Sequence, residues 1–348
     1  MTIVTSSCPV GTLAVMQKCL LKAILGGLFS MSVGVLAESR YQPLQYADMN
    51  ALSMHFGGPW ASAPAVLGRG QWQWQLSSDI GNTVQLEGSA ETSEQLLIDA
   101  ETQRHMAIFE YGLGGDWNIL LAVPYVRHSG GSLDGFIDDF HSALGFPSGP
   151  RAQRSADDFT ISYRRDGALL VDIDQPQCGL GDVSLALTRD FSSAWEDPLS
   201  VGLRLKFPTG EADDLTGSGT YDAALWASTS NALFGDVSHY LSLATVVVEG
   251  RGGLLADMRN SAYGAATYGW AWRYSDLLEF KLQVDTRSAI YNHSRMRALG
   301  HSTAASIGGT LHLPRGYKLD IAVVEDIDVG TSPDVVFQLV LRHRWQAR

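Results

Sequence analysis

From Gly70 to the end of the chain, apolar and polar residues alternate with a period of two. That spacing sends successive side chains to opposite faces of a strand. Trp72, Trp74, Leu76, Ile80, Val84 and Leu86 share one face, and Gln71, Gln73, Gln75, Ser77 and Asp79 share the other. The pattern returns in Trp117, Ile119, Leu121, Val123 and Tyr125, in Val183, Leu185 and Leu187, and in Leu199, Val201, Leu203, Leu205 and Phe207. It continues in Leu278, Phe280, Leu282 and Val284, in Leu319, Ile321 and Val323, and in Val335, Phe337, Leu339, Leu341, His343 and Trp345. These stretches predict about twelve strands, most of them about 9–13 residues long, the length of a tilted strand that crosses a bilayer. Between Leu96 and Leu113 the apolar face switches near Met106, which predicts a bulge. Residues 38–69 keep no steady period and are either a loose periplasmic arm or a segment tucked into a barrel.

Alternation also fits a soluble sandwich, so the decision rests on three further features. Soluble strands average about 5–6 residues, shorter than these. Short connections near residues 112–116, 192–198, 233–237, 275–276 and 314–316 alternate with longer ones near 87–94, 128–179, 209–218, 249–261, 290–300 and 328–333. Membrane barrels alternate short periplasmic turns with longer external loops in the same way. Given that topology, Trp72, Trp74, Trp117, Phe191, Trp272, Tyr274, Tyr317 and Trp345 fall near the periplasmic rim, and Tyr125 and Phe207 near the outer one. Amphipathic rings prefer the bilayer interface. The expected fold is therefore all-β: an antiparallel transmembrane β-barrel of about twelve strands at residues 70–345, with a three-residue tail at 346–348.

Composition narrows the class further. Charged residues make up 18% and hydrophobic residues 45% of 348, and no run of about 20 apolar residues occurs beyond the first forty positions, which excludes a multi-span helical protein. A net charge of −12 argues against nucleic acid as a partner. Residues 1–37 read as a signal peptide, with Lys18 and Lys22 before the apolar run and Val35-Leu36-Ala37 as a cleavage site; the chemical pattern begins only at Met16, which leaves open whether residues 1–15 are an overlong start. This leader carries Cys8 and Cys19, leaving Cys178 as a lone, unreactive thiol. Export and a barrel together place the protein in the outer membrane of a Gram-negative bacterium, among outer-membrane lipids and lipopolysaccharide.

Alternation turns Arg204, Lys206, Glu279, Lys281, Asp285, Arg287, Lys318, Asp320, Arg342 and Arg344 away from lipid, where a midplane charge would cost about 2–4 kcal/mol. They line either a narrow pore or a filled lumen. In the long loop, Leu133, Phe136, Ile137, Phe140 and Leu144 recur at helical spacing, so residues 132–144 are expected to form a short amphipathic helix that plugs or lids the mouth. A hairpin is expected around Asp166-Gly167. Asp134, Asp138, Asp139 and the pair Asp157-Asp158 lack the spacing of a calcium loop, so no metal or cofactor is implied. The Ser/His neighbours His128-Ser129, His293-Ser294 and His301-Ser302 read as polar loop residues, and no catalytic set is assigned.

Several stretches resemble a family of Gram-negative outer-membrane proteins catalogued as a domain of unknown function. They are Pro43-Leu44-Gln45-Tyr46, Phe56-Gly57-Gly58-Pro59, the run from His128 to Phe136, Gly179-Leu180-Gly181-Asp182, Phe207-Pro208-Thr209-Gly210, Leu215-Thr216-Gly217-Ser218-Gly219, and Ser332-Pro333-Asp334-Val335-Val336-Phe337. The resemblance implies an outer-membrane barrel without a settled activity. The last strand also looks like the C-terminal signal read by the barrel-assembly machinery. The expected function is a small-solute channel or uptake porin gated by the long loop. The rivals are an outer-membrane lipid-modifying hydrolase and a closed structural or surface-interaction barrel.

Overall fold

The computed structural model describes residues 42–46, 48–56, 58, 67–88, 93–131, 158–192, 198–250, 252–327, 330–331, 333 and 335–346. Fifteen strands form one sheet: β1 (Gln71–Gly88), β2 (Glu94–Gly114), β3 (Trp117–Ser129), β4 (Thr160–Arg165), β5 (Ala168–Ile173), β6 (Gln177–Leu180), β7 (Ser184–Asp190), β8 (Leu199–Lys206), β9 (Asp222–Phe234), β10 (Val237–Val248), β11 (Ala262–Arg273), β12 (Leu278–Arg287), β13 (Ser302–His312), β14 (Tyr317–Asp326) and β15 (Val335–Gln346). Each long strand pairs antiparallel with its neighbour, and β1 pairs with β15 from Gln71↔Gln346 to Asn82↔Val335, so the sheet closes on itself. Closure removes every edge from the membrane-spanning wall, the condition for carrying peptide groups through hydrocarbon.

The wall has twelve lanes, because β6 and β7 share one. The upper end of β3 pairs with β6 and its lower end with β7. Between them, Gly181, Asp182 and Val183 lie opposite only Val123 and Pro124. This extra residue is a bulge, placed where Pro124 has no N–H to offer. The hairpin of β4 and β5 continues the lane of β3 upward against the outer end of β2. Two-residue turns at Gly115-Asp116 and Asp166-Gly167 hold both central residues at positive φ, the geometry whose twist matches paired strands.

Side-chain phase is inverted relative to a soluble protein. On β8, Leu203 and Leu205 are 46% and 47% exposed on the outer wall, while Arg204 and Lys206 are 3% exposed within. On β12, Phe280 and Leu282 face out and Glu279, Lys281, Gln283, Asp285 and Arg287 are buried inside. Such a belt is stable only against lipid. No helix among the described residues is long and apolar enough to cross a membrane; the crossing is made by strands.

Two expectations need correction. β2 runs through Met106 without a bulge: Trp72↔Tyr111 through Gly88↔Gln95 is one unbroken register with β1. The apparent switch arises because the inner face of β2 is itself apolar, with Leu96, Ile98, Ala100, Met106 and Ile108 buried inside. Cys178, on β6, is disulfide-bonded and not a lone thiol. The leader, the helix expected at residues 132–144 with Leu133, Phe136, Ile137, Phe140 and Leu144, and Asp134, Asp138, Asp139 and Asp157 lie outside the described residues.

Candidate functional site in the barrel lumen

Residues 42–46 and 48–56 lie inside the barrel, and their sequence explains both the turn and its seating. Asp48 Oδ1 accepts from Asn50 N (3.1 Å), and Asn50 Oδ1 accepts from Leu52 N (3.0 Å). Such side-chain bonds to the backbone two residues on are what Asp and Asn contribute to turns. Ser53 N and Met54 N both donate to Asn50 O. The turn buries Met49, Leu52 and Phe56 against the wall.

The arm rises from the periplasmic end. Gln42 is bonded by Arg342 near the lower end of β15, Gln45 Oε1 accepts from Gln75 Nε2 (3.1 Å), and Leu44 O accepts from Gln283 Nε2 (3.2 Å). Higher up, Arg287 Nε donates to Asp48 Oδ2 at 2.7 Å. Asn50 Nδ2 reaches Ala298 O and Thr331 O in two outer loops (2.9 and 3.2 Å). Tyr291 Oη donates to Leu52 O, Tyr263 Oη to Phe56 O and Lys206 Nζ to His55 O. Phe56 is clamped between Lys206 and Arg259, 5.6 and 5.5 Å from its ring centre. By Leu67 the chain is back at the periplasmic rim, where Leu67 N donates to Asn118 Oδ1.

His55 belongs to this arm and not to a spanning strand. Its ring lies 6.3 Å from that of His128. Burial, and then His128, push the His55 pKa down to about 3, so the imidazole is neutral at physiological pH.

The bulge on the β6–β7 lane has a purpose in this seat. It turns Asp182 inward, where the carboxylate accepts from Lys206 Nζ (2.9 Å), Ser218 N (2.8 Å), Ser218 Oγ (2.9 Å) and Gly210 N (3.0 Å). Thr209 Oγ1 donates to Gly181 O, and His128 Nε2 donates to Leu215 O. The loop between β8 and β9 is thereby folded into the mouth, with Leu215, Thr216, Ser218 and Thr220 buried. The described parts of the stretches that carry the family resemblance therefore meet in space around one object, the arm. A Cβ on Gly81 would touch Met49, Val336 and Pro333, which adds the last of those stretches.

Arg204, Lys206, Asp285 and Arg287 surround the upper arm. Glu279, Lys281, Asp320 and Arg342 form a compact network below it: Lys281 Nζ is 3.2 Å from Glu279 and 3.8 Å from Asp320, which also pairs with Arg342. Arg344 donates to Gln73 Oε1 at the lower end, and Lys318 lies beside Arg342 in the β14–β15 register. Trp72, Trp345, His343 and Tyr317 stack along the lower rim at 4.2–6.3 Å, with Trp74 edge-on to Tyr317 and Tyr111 against Trp72. Trp272 and Tyr274 continue this band beside Phe280, and Trp117 carries Arg189 over its ring. Tyr125 sits opposite Leu180 at the outer end.

The Ser/His neighbours do not all lie in loops as expected: His128 and Ser129 end β3, and Ser302 opens β13. Both nitrogens of His128 are engaged, by Leu215 O and Thr102 Oγ1, and Ser294 Oγ donates to Glu94 at 2.7 Å. Residues absent from the sequence-based candidate set prove central: Asp48, Asp79, Arg104 and Asp182. Asp79 and Arg104, paired at 3.0 Å, sit on faces whose neighbours are uncharged; Asp182 lies where the alternation breaks.

Between the arm and the wall a small cavity of about 80 Å³ remains, partly open to solvent. Met54, Phe56, Met106, Pro124 and Val126 make one side apolar, and Arg104, Arg204, Lys206 and Arg287 supply cations.

A closed twelve-lane wall, apolar outside, with a folded-in segment and a cavity, defines an outer-membrane β-barrel of the channel type of fold. The sequence matches the family described as protein of unknown function (DUF3187) over residues 28–345, and the chain belongs to that family. No curated protein matches it. Among solved structures it is similar to an outer-membrane channel from Pseudomonas putida F1, with 13% identity, a TM-score of 0.54, and coverage of 81% of this chain and 97% of that one. The P. putida toluene transporter TodX aligns at 11% identity and TM-score 0.39 over 86% and 98% of the two chains. The first of these likenesses bears on the fold.

Proposed function

We propose that the protein lets small solutes cross the outer membrane and that residues 42–56 form its internal gate. One observation carries this reading: a cavity inside the barrel is bounded on one side by the wall and on the other by a segment that is not part of the wall. A segment held by hydrogen bonds and ion pairs, and not by strand pairing, can leave without breaking the barrel. In this reading the ten charged residues expected to face the lumen line the path, and the rim aromatics anchor the barrel at the bilayer interface. Lipopolysaccharide surrounds its outer half, and the barrel-assembly machinery inserts it through β15. The expected lid at residues 132–144 would act above this gate.

A second reading has its own support. The arm's anchors reach β1, β8, β11, β12 and β15, dense enough to suit a permanently filled, structural barrel. One experiment separates the two. A Cβ on Gly81 would stand 3.0 Å from Met49 Cβ, so Met49→Cys with Gly81→Cys is within disulfide reach after a small shift. In a Cys178→Ser background, erythritol-driven swelling of liposomes carrying the reduced protein, abolished by oxidation, is the result expected of a gate. No swelling in the reduced state returns the barrel to the structural reading.

A further inference from the structure

The charges around the cavity are matched one for one. Arg104 Nη2 is 3.0 Å from Asp79 Oδ2, and Arg287 Nε is 2.7 Å from Asp48 Oδ2. Lys206 Nζ lies 2.9 Å from Asp182 and 2.8 Å from Asp222. Arg204, the fourth cation, interacts electrostatically with Asp222 and Tyr263. Four cations thus stand with four carboxylates, and all eight side chains are buried or nearly so; a fifth inward carboxylate, Asp285, lies off this cavity and accepts from Thr267 Oγ1 and Gln283 Nε2. Of the two nearby imidazoles, His128 is engaged through both nitrogens, by Leu215 O and Thr102, while His55 donates Nε2–H to Ala51 O and keeps Nδ1 as an uncharged acceptor. The rest of the cavity wall is mixed, apolar at Met54, Phe56, Met106, Ala122, Pro124 and Val126 and polar but uncharged at Tyr46, Ser184, Thr216 and Tyr263.

An ion entering such a space loses its hydration and finds no unspent charge to replace it. A pore that concentrates ions does the opposite, presenting a ring of one sign. An uncharged solute has much less hydration to lose, and one with both an apolar side and hydroxyl groups meets apolar wall together with the outer edges of paired polar groups. Resting on the passage reading above, we propose that this cavity admits small uncharged solutes and excludes ions, and that the pairing of Asp79 with Arg104 is one of the determinants of that selectivity. Asp79 Oδ1 also accepts from Gln338 Nε2 (2.9 Å), a bond an asparagine can keep. Asp79→Asn therefore removes the charge while retaining the anchor, and leaves Arg104 as an uncompensated cation on the cavity wall.

The test uses the full mature chain refolded into liposomes and planar bilayers, with heat-modifiable gel migration as the check on folding. Wild type is expected to swell liposomes in iso-osmotic erythritol while passing little current in potassium chloride. Asp79→Asn is expected to raise chloride current by at least an order of magnitude and to shift the reversal potential in a salt gradient toward chloride. Arg104→Gln, which leaves Asp79 uncompensated, shifts it toward potassium. Opposite shifts in these two variants exclude a merely loosened barrel, which would leak both ions alike. If only one variant folds, the sign of its shift decides alone. Wild-type current in step with erythritol flux would overturn the selectivity while leaving passage intact. Folded variants with no shift would overturn the role of the pair. Neither flux nor current in wild type would remove the passage reading and this inference with it.

Discussion

The lumen is filled in two different ways along its length. At the outer end the inner faces of β2, β9, β10 and β11 and the β4–β5 hairpin meet three loops and the arm in one apolar cluster containing Leu52, Phe56, Ile98, Ile161, Tyr163, Leu215, Val246, Met258, Ile290 and Leu299. At the periplasmic end the lumen holds ion pairs among Glu279, Lys281, Asp320 and Arg342 and a run of hydroxyls at Ser200, Ser228, Ser238, Ser242 and Thr310. Trp226 and Tyr240 fill the space between, their rings lying where Cβ atoms on Gly202 and Gly269 would sit. The outer tier is organised like the core of a soluble domain. In the inner tier each polar group needs a partner or water. The arm belongs to both, polar at Gln42 and Gln45 and apolar from Met49 to Phe56.

The largest effect is expected where the outer tier is most like a core. Ile98 is fully buried, and Ile98→Asp places a charge among apolar neighbours at a cost of more than about 4 kcal/mol. Urea unfolding followed by limited proteolysis should show the outer loops and arm cut first. An unchanged unfolding midpoint would mean the tier is hydrated and not a core.

Next comes the inner network. Lys281→Met leaves Glu279 and Asp320 short of a cation and is expected to cost about 3–5 kcal/mol, the typical penalty for breaking a buried pair. Adding Glu279→Gln should recover part of the loss, measured by the same unfolding curves. Failure of the second change to help would show that the pair is not electrostatically coupled.

The arm's response to acid is smaller. The folded pKa of His55, about 3, lies below its unfolded value near 6.5. The unfolded state therefore binds the proton more readily, and stability present above pH 6.5 is lost as pH falls toward 3. Protection factors at the Leu52 and Met54 amides, corrected for the intrinsic pH dependence of exchange, should fall between pH 7 and pH 4.5, and His55→Gln should flatten that dependence. Protection that does not change with pH in the native protein would disconnect His55 from arm seating.

Smallest of all is Ser238→Ala. The buried Ser238 hydroxyl has no protein partner, so its removal should shift stability by less than about 1 kcal/mol. A larger loss in thermal unfolding would reveal that the hydroxyl is held by an ordered bond in the inner tier.

Period-two alternation was enough to read the barrel, the positions of β1, β3, β8, β12, β14 and β15, and the hairpin at Asp166-Gly167, because lipid outside and water or charge inside impose opposite preferences on neighbouring residues. The same rule misread β2 at Met106, where both faces are apolar, one toward lipid and the other toward the arm. Residues 38–69 lacked any period because the arm is seated by individual side-chain bonds, and such bonds leave no repeat in a sequence.

What the chain alone determined is the wall, since strand phase is a local property repeated many times over. What only the tertiary structure decided is the content of the wall. Asp48 meets Arg287 across 239 positions and Gln42 meets Arg342 across 300. The matching of four cations with four carboxylates likewise appears only after the barrel has closed, because ion pairing depends on distance in space and the sequence records only order.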